Sequence, residues 1–191
     1  AANAGDGTSE DFCVMSVGYC QQCGTIQLVD RMPLEVVRPR YDWLVYNEPE
    51  KHLDDVARKL SELSGINKSS RFLGITYLDK STLDRMNRLG FPNTACVSED
   101  DLMCPVQPFG LESIQGALIT DSTIERLRKA YGSVDVLIAR YIIEHASDAS
   151  RLISSLRGLL AFEGYILLEL PDSESILSAG NHAFIWEEHI S

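Results

Sequence analysis

An apolar run, a helical pattern and a second apolar run fill residues 134–172, VDVLIARYIIEHASDASRLISSLRGLLAFEGYILLELPD. Few folds accept that order. Neighbouring strands joined through a helix run parallel, because a parallel pair needs a long crossover. The first run leads into Glu144-His145, and the second ends at Glu169, Pro171 and Asp172. Both therefore present polar side chains at the carboxyl ends of strands. Ligands bind along that edge in open parallel sheets, so a site is expected there.

The same alternation extends upstream. RFLGITYL reads as a strand, with Asp79 capping a helix through KSTLDRMNRL that ends at Gly90. NTACV reads as a second strand and SIQGALIT as a third. Ser122 with Glu125 forms a capping box that opens a helix closing at Gly132. VDVLIA and GYILLEL are the fourth and fifth strands, separated by a helix over 148–160. The expected fold is α/β, a doubly wound and mainly parallel Rossmann-like sheet with right-handed crossovers. A small cysteine-containing β region precedes it.

Four regions are expected in all. Residues 1–10 form a polar, flexible start. Residues 11–46 hold two short strands, turned by CQQCG. Residues 47–65 carry a bridging helix, opened by Asn47 with Glu50 and stopped at Gly65. Residues 66–191 are the α/β domain. AANAGDGTSE lacks an initiating methionine and IWEEHIS lacks a cap, the pattern expected of a fragment.

Charge narrows the function. At 191 residues, with 45% apolar and 24% charged side chains, the chain can bury a substantial core. A net charge of −11 repels phosphate backbones, so nucleic acid is not an expected partner. No run is long enough to span a bilayer, so a membrane is not expected either. Five cysteines, an odd number, without a secretory start favour a reduced cytoplasmic setting over a disulfide framework. Oligomeric state is unconstrained.

Three groups of residues carry possible chemistry. Cys20-x-x-Cys23-Gly24 has the spacing of half a zinc site, and equally of two structural cysteines. The first βα turn, ITYLDKST, has no glycine between Gly74 and Gly90, and Thr76 and Lys80 stand where small residues would admit a ligand. Asp79 there reads either as a helix cap or as part of an unusual cofactor turn. His145 reads either as a general base or substrate donor, or as a residue lining the next helix start. Glu187-Glu188-His189 is a second acid–imidazole cluster, and YDWLVYNEPEKH an aromatic–polar stretch ahead of the bridging helix.

Taken in order, these segments resemble the S-adenosylmethionine-dependent sugar C-methyltransferases, which act on nucleotide-linked deoxysugar ketones. CQQCGTIQL matches the family's C-x-x-C-G-x-x-Q-L segment at Cys20, Cys23, Gly24, Gln27 and Leu28. YDWLVYNEPEKH, IARYIIEHASD, LLELPD and WEEH resemble further family segments. The resemblance implies a class I methyltransferase domain, zinc held in part by Cys20 and Cys23, and S-adenosylmethionine near Thr76, Asp79 and Arg140. It implies catalytic roles for His145 and His189 as base or enolate donor, for Glu188 in orienting an imidazole, and for Tyr41 on the substrate. A nucleotide-linked sugar is the implied partner. The chain departs from the family at the first turn, where Gly74 replaces the leading acid, both glycines are missing and Asp79 alone is kept. Trp186 and Glu187 depart from the terminal motif. Those departures open an alternative, a binding or scaffold protein on the same fold that no longer binds the cofactor.

Overall fold

The computed structural model describes residues 16–22, 24–30, 50–103, 111–146 and 148–180. Its first element is a hairpin in which β1 (Val17–Tyr19) pairs antiparallel with β2 (Ile26–Leu28). The connection is closed by backbone hydrogen bonds from Gly24 N–H to Cys20 O and from Cys20 N–H to Thr25 O. The strand–knuckle–strand pattern of the sequence is thus present.

The rest is an α/β fold. After α1 (Leu53–Ser61) come β3 (Phe72–Gly74), α2 (Lys80–Arg88), β4 (Thr94–Cys96) and the short α3 (Glu99–Leu102). They are followed by α4 (Leu111–Leu118), α5 (Asp121–Tyr131), β5 (Val134–Arg140), α6 (Ala149–Arg157), β6 (Leu160–Glu169) and α7 (Ser173–Ser178). Four strands form one sheet in the order β4-β3-β5-β6, and every pairing is parallel. The topology is Rossmann-like. The chain leaves β3 for β4 on one side and returns to β5 on the other, so the strand order reverses between β3 and β5.

Alternation along the strands sends side chains to two apolar layers. Leu73, Ile75, Leu137 and Ala139 face α4, α5 and α6, meeting Ile114, Leu118, Leu127, Leu152 and Leu156. Phe72, Val136 and Ile138 face the other way, onto Ala57 and Leu60 of α1 and Leu83 and Met86 of α2. Period-two burial of β5 between two helical layers is why VDVLIA reads as a nearly continuous apolar run.

Several boundaries differ from the sequence expectation. SIQGALIT is helical, in α4 and its end, not a third strand. Ile114 and Leu118, four apart, are both buried on one side of the sheet, and a short apolar run does not separate that spacing from strand alternation. The following helix is preceded by Thr120 at its N-cap position, two residues before Ser122, and it closes at Gly132 as expected. The α-helix of the bridging region begins at Leu53, and Glu50 spends its carboxylate on Ser81 and Arg140. Asn47 lies outside the described residues. In α6, Asp148 caps the helix by accepting from Arg151 N–H at 2.9 Å.

β6 carries an irregularity near its start. Val134 pairs with Leu160, but Val136 pairs with Tyr165, leaving extra residues looped out of β6. A Cβ on Gly164 would stand 3.1–3.2 Å from the carbonyl oxygens of Ala161, Asp135 and Val134. A side chain there would press on three backbone oxygens, so the bulge favours a glycine.

The helical packing of α4 has a direct check. Leu118→Ala removes a fully buried side chain from the larger apolar layer, and a loss of about 2–5 kcal/mol in urea unfolding is expected.

Candidate functional site at the carboxyl edge of the sheet

Thr76, Asp79 and Arg140, singled out for a cofactor, do come together, but on one another. Asp79 ends a short 3₁₀ turn over Tyr77–Asp79 that follows β3. It is fully buried, and its side chain folds back rather than capping α2. One carboxylate oxygen accepts from the backbone N–H of Ile75 at 2.8 Å and of Thr76 at 2.7 Å. The other accepts from the backbone N–H of Arg140 at 3.0 Å, across the gap between β3 and β5. A carboxylate thus bridges the two strands where their order reverses.

Gly74 makes this fold-back possible. A Cβ at that position would lie 2.7 Å from the Cβ of Asp79 and 3.1 Å from Leu83 Cδ1. The absence of a side chain at 74 and the inward turn of the side chain at 79 are one packing solution. Burial raises the Asp79 pKa from 3.8 to about 7, against the pull of the three amides and the Arg140 charge. Burial, together with the nearby Asp79 charge, likewise pushes the Cys96 thiol up to about 11, and that thiol donates to Thr76 O at 3.1 Å. A thiol held that high is a poor nucleophile at neutral pH.

Arg140, at the end of β5, is 1% exposed. Its Nε donates to Glu169 at the end of β6, and its Nη1 donates to Leu78 O at 2.6 Å, Ser81 Oγ at 3.1 Å and Glu50 Oε1 at 3.2 Å. Glu169 also accepts from the Tyr141 hydroxyl at 3.1 Å, and His52 Nε2 lies 2.7 Å from its Oε1. Burial alone would raise Glu169, but the bond and charge of Arg140, with His52 and Tyr141, hold it below the usual carboxylate range. Tyr141 sits at φ 50, a left-handed backbone that tyrosine adopts at a cost. The turn that follows β5 keeps that conformation while the Tyr141 hydroxyl bonds Glu169.

His145 closes the next short turn, Ile143–His145, and is buried with Glu144 beside it. Burial raises the Glu144 pKa, His145 opposes that rise, and the Glu169 charge adds to it. Both residues belong to the same edge of the sheet. Tyr41, Glu188 and His189 lie outside the described residues, as does Cys23.

The expected zinc site is overturned. Cys20 is a free, half-buried cysteine in the hairpin turn, and among the described residues no three His, Cys, Asp or Glu side chains are grouped to hold a metal. A structural zinc needs four ligands, and one turn of CxxC spacing does not supply them. Glu50, Ser81 and Arg85 belong to the edge but were not legible as its members from spacing. Glu169 was legible there, as an acid ending an apolar strand. No protein-family model matches the chain, and no curated protein is significantly similar to it. Among the described residues no helix is long and apolar enough to cross a membrane.

Asp79 generates a pH prediction of definite sign. Its folded pKa lies above its unfolded value, so its contribution to stability is fully present below about 4 and is lost as pH rises through about 7. Denaturant melts of the Asp79→Asn variant should lack that falling slope between pH 5 and 8. Parallel curves for the two proteins would show that the carboxyl group does not titrate there.

Proposed function

We propose that this chain is a binding module on a class I methyltransferase-like, doubly wound fold, with its cofactor side closed by its own side chains. The observation that carries the reading is the Asp79 carboxylate on the Ile75 and Thr76 amides. Nucleotide cofactors approach the backbone of the first βα turn closely, and glycines there make the approach possible. In this chain Thr76 takes a buried place in that turn, and the turn's donors serve an internal acid. The resemblance to the sugar C-methyltransferases points to the ancestry of the fold and to a nucleotide-linked sugar as the ligand class on the substrate side. The odd cysteine count supports a reducing, cytoplasmic setting.

A second reading is an active S-adenosylmethionine-dependent C-methyltransferase acting on a nucleotide-linked keto-deoxysugar. It is favoured by Glu144 and His145 standing together just past the end of β5. In such an enzyme a base removes the proton beside the keto group, donors stabilise the enolate, and carbon attacks the activated methyl. His145 is the described residue suited to proton transfer, and the resemblance assigns His189, Glu188 and Tyr41 to the same site.

Calorimetric titration with S-adenosylmethionine separates the two. The binding-module reading expects no detectable binding up to millimolar ligand. A dissociation constant in the micromolar range would replace it with the enzyme reading.

A further inference from the structure

We infer that the Glu50 carboxylate is an internal occupant of an anion site, and that a phosphate group of a small-molecule ligand takes its place on Arg140, Ser81 and Arg85. The inference rests on the binding-module reading for where a ligand enters, and it adds the chemistry that ligand must carry.

Glu50 belongs to none of the strands or helices that form the edge. It lies just before α1 and reaches Arg140 across 90 residues of sequence. Three groups converge on its carboxylate. Ser81 Oγ donates to Oε1 at 2.6 Å, Arg140 Nη1 donates to the same oxygen at 3.2 Å, and Arg85 Nη1 stands 3.6 Å from Oε2. Ser81 lies in the first turn of α2, where the helix dipole favours negative charge. Two guanidinium groups, a hydroxyl and a helix start around one oxyanion are what a phosphate requires. Burial works against the charged form of Glu50, yet Ser81, Arg140 and Arg85 hold its pKa below the ordinary value.

Exposure separates the occupant from its cradle. The Glu50 side chain is 35% exposed, whereas Arg85 is 16% and Arg140 2% exposed. Glu50 can therefore swing outward without opening the apolar layers. The cradle keeps its shape when it leaves, because Arg140 retains Glu169 and Leu78 O, and Arg85 retains Asp54 and Ser81 O. A buried guanidinium that stays paired is not stranded by the exchange. The cradle opens beside the reversal between β3 and β5, where open α/β sheets take ligands.

Calorimetry with inorganic phosphate and with uridine diphosphate, on the full chain and on its Glu50→Gln variant, tests the inference. The variant is expected to bind at least about ten-fold more tightly, since glutamine removes the competing charge. Adding Arg85→Gln should cancel that gain. An equal gain for both probes assigns the phosphate group alone, and a larger gain for uridine diphosphate assigns a nucleotide. A folded Glu50→Gln protein whose affinity for both probes stays within about two-fold of the parent overturns the inference. If the variant does not fold, hydrogen exchange on the parent chain decides. Either probe should speed exchange several-fold at the Leu53 amide, which bonds Glu50 O, as Glu50 lifts, and unchanged exchange there overturns the inference. S-adenosylmethionine binding is a separate measurement, so this inference and the binding-module reading fail independently.

Discussion

A guanidinium with almost no access to water organises the carboxyl edge of this sheet. Removing a charge from water costs several kcal/mol unless partners replace the lost hydration. Arg140 meets that demand by drawing in Glu169 from β6, Leu78 O and Ser81 from the first βα segment, and Glu50 from before α1. The partners come from three separate parts of the chain. Leaving the charge unpaired would cost about 3–5 kcal/mol, so the strand ends and the lead-in to α1 are held in register by one side chain.

Asp79 is the second constraint on the same gap. Its carboxylate ties Ile75 and Thr76 to the amide of Arg140, so backbone and side chain of Arg140 are both anchored to the turn after β3. The two anchors differ in kind. Arg140 is neutralised by carboxylates and keeps its charge, whereas Asp79 is ringed by neutral amides and burial raises its pKa. Donors that would face a ligand in an open turn are already engaged. The edge has the location of a binding site, and its innermost positions are filled from within.

Much of the fold was legible in the pattern of apolar residues. The run at 134–140 and the one ending at Glu169 are strands, with a helix between them capped by Asp148. Gly90 and Gly132 end their helices at positive φ. Legibility failed where the apolar run was short. SIQGALIT satisfies either period, and the burial of Ile114 and Leu118 against α5 and α6 chose the helix. The site was legible only in part. Thr76, Asp79 and Arg140 were expected around a cofactor, and their contacts with one another depend on Gly74, whose role appears only in packing.

By itself the sequence determined a parallel α/β sheet with polar strand ends, because local periodicity and caps act over a few residues. Which polar groups meet was decided by the tertiary structure alone. Glu50 reads as a capping-box acid from its neighbours, and it binds Ser81 and Arg140 because the buried guanidinium leaves a carboxylate nowhere better to go. Cys20 reads as half of a metal site, and its surroundings among the described residues provide no ligand set. Charge pairing and coordination depend on distances between remote parts of the chain, and those distances exist only once the sheet and its helices have packed.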